Sequence, residues 1–230
     1  MSRTIPGGFL LAIEGIDGAG KSSQAEAVAR ALRNRGLPCI VTREPTQGPW
    51  GQKLRESAAQ GRLSPAEELE AFMEDRKQHV REVIRPGLAA GQVVITDRYY
   101  FSTVAYQGAR GYDPARLLKQ NEAIAIEPHL LVLIDLEPEV GLARDGRRGD
   151  STNHFETVAQ LTRSRRIFLD LRKPYLVRID GQARPDEIRD QILLAFSRAA
   201  VERIAAASGL TARERLNACL AVHGAGVMTD

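Results

Sequence analysis

Gly15-Ile16-Asp17-Gly18-Ala19-Gly20-Lys21-Ser22 fits G-x-x-x-x-G-K-[ST], the pattern of the phosphate-binding P-loop. Its surroundings are those the pattern requires. Gly8-Phe9-Leu10-Leu11-Ala12-Ile13-Glu14 reads as a short buried strand before it, and Ser22 to Arg35 has helical spacing after it. Glycines let the backbone wrap a phosphate and take φ > 0 where the turn demands it. Consecutive N–H groups and the positive end of the helix then face the anion. Lys21 adds a charge for the β- and γ-phosphates, and the Ser22 hydroxyl is a ligand for Mg²⁺. The expected ligand is a nucleoside triphosphate.

Four further apolar runs read as buried strands: 38–42, 92–96, 130–135 and 175–180. Helical segments separate them, at 22–35, 50–60, 65–89, 114–126, 138–144, 155–173 and 185–207. Several carry a proline at or near the first turn, and Gly36 stops the first. Near-continuous apolar strands alternating with helices predict a five-stranded parallel sheet covered on both faces, an α/β fold of three layers. Right-handed crossovers place the P-loop at the carboxyl edge of that sheet, where ligands bind. Residues 145–154 are the one irregular polar stretch inside this unit, suited to a short functional lid. The expected domain spans residues 1–207. Ser208-Gly209 then breaks the pattern, and Thr211 with Glu214 forms a capping box for a final helix within a 208–230 extension.

Composition sets broad limits. The 230 residues include 32 Lys and Arg against 29 Asp and Glu, a net charge of +3, with 43% apolar residues. The isoelectric point is near 9.0, but the basic residues are scattered among acids, so no nucleic-acid stripe is expected. Cys39 and Cys219 form no metal or redox pair and suit a reducing compartment. No signal pattern opens the chain, and no apolar run approaches the roughly 18 residues of a membrane span. The expectation is a cytoplasmic protein without membrane partners.

A P-loop alone leaves GTPases, motor ATPases and small kinases open. No Asn is followed by Lys, so the base-reading motif of GTP switches is missing. Instead, arginines stand at predicted strand ends. Arg43-Glu44-Pro45 follows the second strand and Asp97-Arg98-Tyr99 the third, while Arg76 shares a helix with Phe72. These guanidinium groups are expected to converge on the mouth of the P-loop, a pattern suited to a second, phosphate-bearing substrate. A phosphomonoester is about nine-tenths dianion at pH 7 and needs no base. A hydroxyl acceptor would need one, and Glu44 or Asp97 keeps that alternative open.

Taken together, these residues resemble the thymidylate kinase family. The resemblance covers Glu14 to Gln24, Thr42-Arg43-Glu44-Pro45, Phe72 through Arg76, Asp97-Arg98-Tyr99, Ala105-Tyr106-Gln107-Gly108, Pro138 to Arg144 and His154-Phe155-Glu156, running in order from about Phe9 to Phe196. It implies ATP- and Mg²⁺-dependent phosphorylation of dTMP to dTDP, and a homodimer. Gly15, Ile16, Asp17, Gly18, Ala19, Gly20, Lys21, Ser22, Ser23 and Arg144 would contact ATP. Ser22 and Asp97 would serve Mg²⁺. Asp17 would lie near the acceptor sugar, Arg43 and Arg98 on its phosphate, Phe72 on the thymine ring, Arg76 on the base edge, and Tyr106 against the deoxyribose, with Ser102, Thr103 and Gln107 beside them. Ala19 stands where some members carry a P-loop arginine, so transition-state charge is expected from the lid arginines Arg144, Arg147 and Arg148. The chain departs from the family pattern at Ser23, at Gln47-Gly48-Pro49-Trp50, at Thr103, at His154 and in its length beyond Ala200. A related kinase acting on another nucleoside monophosphate or a deoxynucleoside is the runner-up, and a non-catalytic nucleotide sensor the third reading.

Overall fold

In the computed structural model, which describes residues 4–61, 63–146 and 158–207, five parallel strands form one sheet in the order β2-β3-β1-β4-β5. In chain order the elements are β1 (Phe9–Glu14), α1 (Lys21–Asn34), β2 (Cys39–Arg43), α2 (Pro49–Gln60), α3 (Pro65–His79), a π-helical turn (Val80–Ile84), α4 (Arg85–Ala89), β3 (Val93–Asp97), α5 (Tyr100–Gly108), α6 (Pro114–Glu122), β4 (Leu130–Asp135), α7 (Pro138–Gly146), α8 (Val158–Asp170), β5 (Leu176–Asp180) and α9 (Pro185–Ala207). The sheet expected from the apolar runs is therefore present, each strand within two residues of its predicted bounds. Every residue of the central strand β1 is buried, as a strand covered on both faces requires.

The helices differ instructively at their N-termini. Ser64 and Glu67 form a reciprocal capping box that opens α3, and the Asp113 side chain caps α6. Helix α1 starts at Gly20, in the left-handed region at φ 89°, with no side-chain cap and no acidic residue in its first turn. Its first amides therefore point into the P-loop, where an anion completes them.

Several expectations are corrected. The segment 100–108, which none of the expected helices covers, is helix α5. The single helix expected over 65–89 contains the π turn at Val80–Ile84, and α6 ends at Glu122 rather than 126. Asp145 and Gly146, expected in the lid, close α7. The remainder of the lid and the 208–230 extension lie outside the described residues. Among the described residues no helix is long and apolar enough to cross a membrane.

The core lies on both faces of the sheet, with Phe9 packed edge-on against Phe196 of α9, ring centroids 4.8 Å apart. His129 locks the other side of this cluster. Its ring lies 5.2 Å from that of Phe9, and its Nδ1 accepts the Leu10 N–H at 2.8 Å. Burial, with Arg203 nearby, lowers the imidazole pKa to about 4. The unfolded chain therefore takes up a proton near pH 6.5 that the folded chain refuses until about pH 4. Stability falls as pH drops through that window. Urea midpoints at pH 7 and pH 4.5 should show a steeper acid loss for the wild type than for His129→Gln; equal losses would contradict this assignment.

Candidate active site

Strand register brings the chemistry to one edge. Ile13 of β1 pairs with Asp97 of β3, and Asp97 pairs in turn with Arg43 of β2. The P-loop, Arg98 and Arg43 thus leave neighbouring strands at the same level. Lys21 is buried, and its Nζ donates to the Ile16 carbonyl at 2.8 Å, 4.0 Å from Asp17. Burial and then the Arg98 charge lower its pKa to about 8, against the opposite pull of Asp17, Asp97 and Glu14. A triphosphate offers this ammonium far better partners than a carbonyl. Gly18 has φ 77°, and a Cβ there would sit 2.1 Å from the Gly141 carbonyl oxygen. The P-loop and α7 therefore meet backbone to backbone, a contact only glycine allows.

The Ser22 hydroxyl donates to Asp97 Oδ2, while Asp97 Oδ1 is buried without a hydrogen-bond partner. A serine hydroxyl beside a carboxylate with an unsatisfied oxygen is a hard, all-oxygen donor set. It suits a Mg²⁺ that takes its other ligands from phosphates and water. Among the described residues no group of three or more His, Cys, Asp or Glu could hold a metal on its own.

Arg98 is the residue the local backbone works hardest to place. It has φ 68°, the left-handed region, although it is not glycine. Its guanidinium pairs with Asp17, donates to the Ser102 hydroxyl at 3.3 Å and stacks 5.3 Å from the Tyr106 ring centroid. The Tyr106 hydroxyl donates to the other Asp17 oxygen at 2.8 Å. Burial would lower the Arg98 pKa, but Asp17, Tyr106 and Asp97 more than reverse this. Arg43 is exposed and lines a cleft of about 480 Å³ with Ser22, Asp97, Thr46 and His79. Arg43, Arg98, Asp17, Asp97 and Tyr106 therefore gather where the sequence expected them.

Arg76 does not. It was expected at the P-loop mouth, but it is 1% exposed and bonded within the protein. Its Nε donates to Glu44 at 3.1 Å, its Nη2 to Glu44 and to Thr103 Oγ1 at 3.1 Å, and its Nη1 to Asn121. Glu44 also meets His79 Nδ1 at 3.0 Å, and His79 Nε2 lies 2.8 Å from the Thr42 hydroxyl. Burial alone would raise the Glu44 pKa; Arg76 and His79 outweigh it and hold the carboxyl below its ordinary range. Glu44 is thus an ionised, fully engaged partner of Arg76, one layer behind the mouth. Phe72, one helical turn before Arg76, is half-buried. Gln107 is buried and donates to Glu68 at 3.1 Å, leaving its carbonyl oxygen without a partner.

On the donor side, Arg144 of α7 donates to the Gly181 carbonyl at 2.9 Å. Arg147, Arg148 and His154-Phe155-Glu156 lie outside the described residues. Reading the sequence missed Glu14 and Asn121, both without measurable exposure. Glu14 passed as a strand residue, although an acid at the end of an apolar run was itself a signal. Asn121 gave none. Asp75 was quoted without a role; its carboxylate accepts from the Thr46 N–H at 2.9 Å and hydroxyl at 2.6 Å, pinning the loop after β2.

An uncapped helix behind a glycine loop, a hydroxyl–carboxylate pair and arginines on adjacent strand ends define a P-loop nucleotide-binding α/β protein with room for a second anionic substrate. Comparison with known proteins narrows this. The family model described as thymidylate kinase matches residues 13–192. A protein named thymidylate kinase from Xanthomonas campestris pv. campestris (strain B100) is 45% identical over 221 residues, covering 96% of each chain. One so named from Xylella fastidiosa (strain M12) is 50% identical over 186 residues, covering 81% of this chain and 85% of its own. Another, from Xanthomonas oryzae pv. oryzae (strain PXO99A), is 46% identical over 218 residues, covering 93% and 96%. The chain belongs to the thymidylate kinase family, and it is a phosphotransferase enzyme.

The buried Glu44–Arg76 pair makes a stability prediction. Arg76→Met strands the Glu44 carboxylate, and urea denaturation should show a loss of about 3–5 kcal/mol. Adding Glu44→Gln should recover part of that loss; a double variant as unstable as the two single losses summed would contradict the pairing.

Proposed function

We propose that the chain transfers the γ-phosphoryl group of ATP to the 5′-phosphate of dTMP, giving ADP and dTDP. The observation that carries this reading is the state of Glu44. It is one of the two strand-end carboxylates that could deprotonate a hydroxyl acceptor, yet it is buried and bound by Arg76 and His79, while the other, Asp97, accepts from the Ser22 hydroxyl at the position read as the metal's. Arg98 and Arg43 stand instead at the mouth, where a phosphate acceptor would need them.

In this reading the P-loop amides of Gly15, Ile16, Asp17, Gly18, Ala19 and Gly20 wrap the donor phosphates, joined by Ser23, and Lys21 exchanges the Ile16 carbonyl for phosphate oxygens. Ser22 and Asp97 would hold Mg²⁺, which would supply positive charge against the donor phosphates. Arg98 trades one anion, Asp17, for another, the acceptor phosphate, and Arg43 meets the same group. Released Asp17 faces the sugar beside Tyr106. Phe72 stacks on the thymine ring, Arg76 reaches the base edge with its remaining Nη1 proton, and Ser102, Thr103 and Gln107 complete the wall. An acceptor phosphate oxygen attacks the γ-phosphorus in line, the bond to the bridging oxygen of ADP breaks, and no proton need move. Arg144 would lie against the donor nucleotide, with Arg147 and Arg148 closing charge onto the transferring group. The proposal extends to a homodimer, as the resemblance implies, and to a cytoplasmic location; sedimentation as a monomer at micromolar concentration would contradict the dimer.

ADP release from MgATP, run in parallel with dTMP, dUMP, UMP, dCMP and thymidine, tests the reaction. dTMP should support the fastest turnover; turnover with thymidine would overturn the phosphate-acceptor reading. Lys21→Ala should lose about two or more orders of magnitude in kcat. Loss of ATP affinity alone, in a chain that turns over no acceptor, would favour a nucleotide sensor.

A further inference from the structure

Glu14, the last residue of β1, has no solvent exposure. A buried carboxyl is costly unless its oxygens are satisfied, and here they are spent on one turn. Oε1 accepts the Tyr99 N–H at 2.8 Å and the Ser102 N–H at 3.0 Å, and Oε2 accepts the Ser102 hydroxyl at 2.6 Å. Tyr99 is the residue that opens α5, a helix with no side-chain cap of its own. Glu14 supplies that cap from another strand. Burial raises its pKa to about 7, although Ser102, Arg98, Tyr99 and Lys21 all pull it down.

Between Asp97 and Tyr99 sits Arg98 in its left-handed conformation, a strained backbone that a non-glycine residue keeps only where its surroundings impose it. The surroundings do. The Arg98 N–H donates to the Ile13 carbonyl at 3.0 Å, and the Thr96 hydroxyl donates to the Arg98 carbonyl at 2.6 Å. The chain on either side of Arg98 is thus tied to consecutive residues of β1. Ser102, clamped by Glu14, then accepts from the Arg98 guanidinium.

We infer that Glu14 is a positioning residue for the acceptor phosphate: its carboxylate fixes the Tyr99–Ser102 turn and thereby presents the Arg98 guanidinium to the mouth of the P-loop. The strand that delivers the donor loop also sets the acceptor arginine, so both phosphates are placed from one reference. The inference rests on the reading of Arg98 as a ligand of the acceptor phosphate.

Initial rates on the full chain test it. Glu14→Ala should raise KM for dTMP about tenfold or more while KM for ATP moves less than about threefold. Glu14→Gln keeps an acceptor for both amides and a partner for the Ser102 hydroxyl, and should return KM for dTMP to within about threefold of wild type. A Glu14→Ala enzyme whose two KM values stay put or rise together would overturn the inference, as would a Gln variant as impaired as the Ala. Should the Ala variant not fold, Glu14→Asp, which withdraws the carboxylate from the turn, should raise KM for dTMP alone, and an unchanged KM would overturn it. Arg98→Ala separates the layers. If it leaves KM for dTMP unchanged, the reading of Arg98 falls and the inference with it; if it raises KM while the Glu14 variants do not, only the inference falls.

Discussion

The site depends on a register. Because Ile13 of β1 sits beside Asp97 of β3, and Asp97 beside Arg43 of β2, three strands end together and hand their next residues to one crevice. A slip of one residue would exchange the two faces of a strand and carry Asp97 out of step with Ile13 and Arg43, which the side chains packed on both faces of β1 and β3 oppose. Core packing therefore fixes functional geometry directly. The P-loop, the Ser22–Asp97 pair and Arg98 inherit their spacing from the strands beneath them.

The charges at this edge satisfy one another within the protein. Lys21 rests on a P-loop carbonyl, Arg98 on Asp17, and Tyr106 donates to Asp17 as well. The Lys21 and Arg98 contacts each have a cation at one end, so in the proposed reading substrate phosphates would replace existing partners there. The Glu44–Arg76–His79 layer behind is of a different kind. Its members are almost wholly buried and bonded to one another, so it forms a rigid wall with one Arg76 Nη1 proton left over. A carboxylate held there has little capacity to act as a base. That distinction between an exchangeable front layer and a fixed back layer carries the choice of a phosphate over a hydroxyl as acceptor.

Much of this was legible in the sequence. Apolar strands buried on both faces announce themselves, and the P-loop motif in strand–loop–helix context placed the donor site before any coordinates. Arginines at strand ends were expected to converge on the mouth of the P-loop, and Arg43 and Arg98 both stand at that edge. What escaped reading were features set by distant partners. Helix α5 is short, rich in aromatic and β-branched residues with weak helix propensity, and its cap comes from Glu14, 85 residues before Tyr99. The left-handed turn at Arg98 has no glycine to mark it. Arg76 looked like another mouth arginine because its spacing from Phe72 describes one helix face, not the depth at which Glu44 and Asn121 hold it.

If the mouth is built for a phosphate acceptor, most of the affinity for that acceptor must come from its phosphate. Titration calorimetry of the full chain with dTMP and with thymidine, at one salt concentration, measures this without any turnover. The account predicts that dTMP binds about a hundredfold or more tightly than thymidine, as removal of a charge-paired phosphate demands. Equal affinities would contradict it, and would send the search for the acceptor's chemistry back to its hydroxyl.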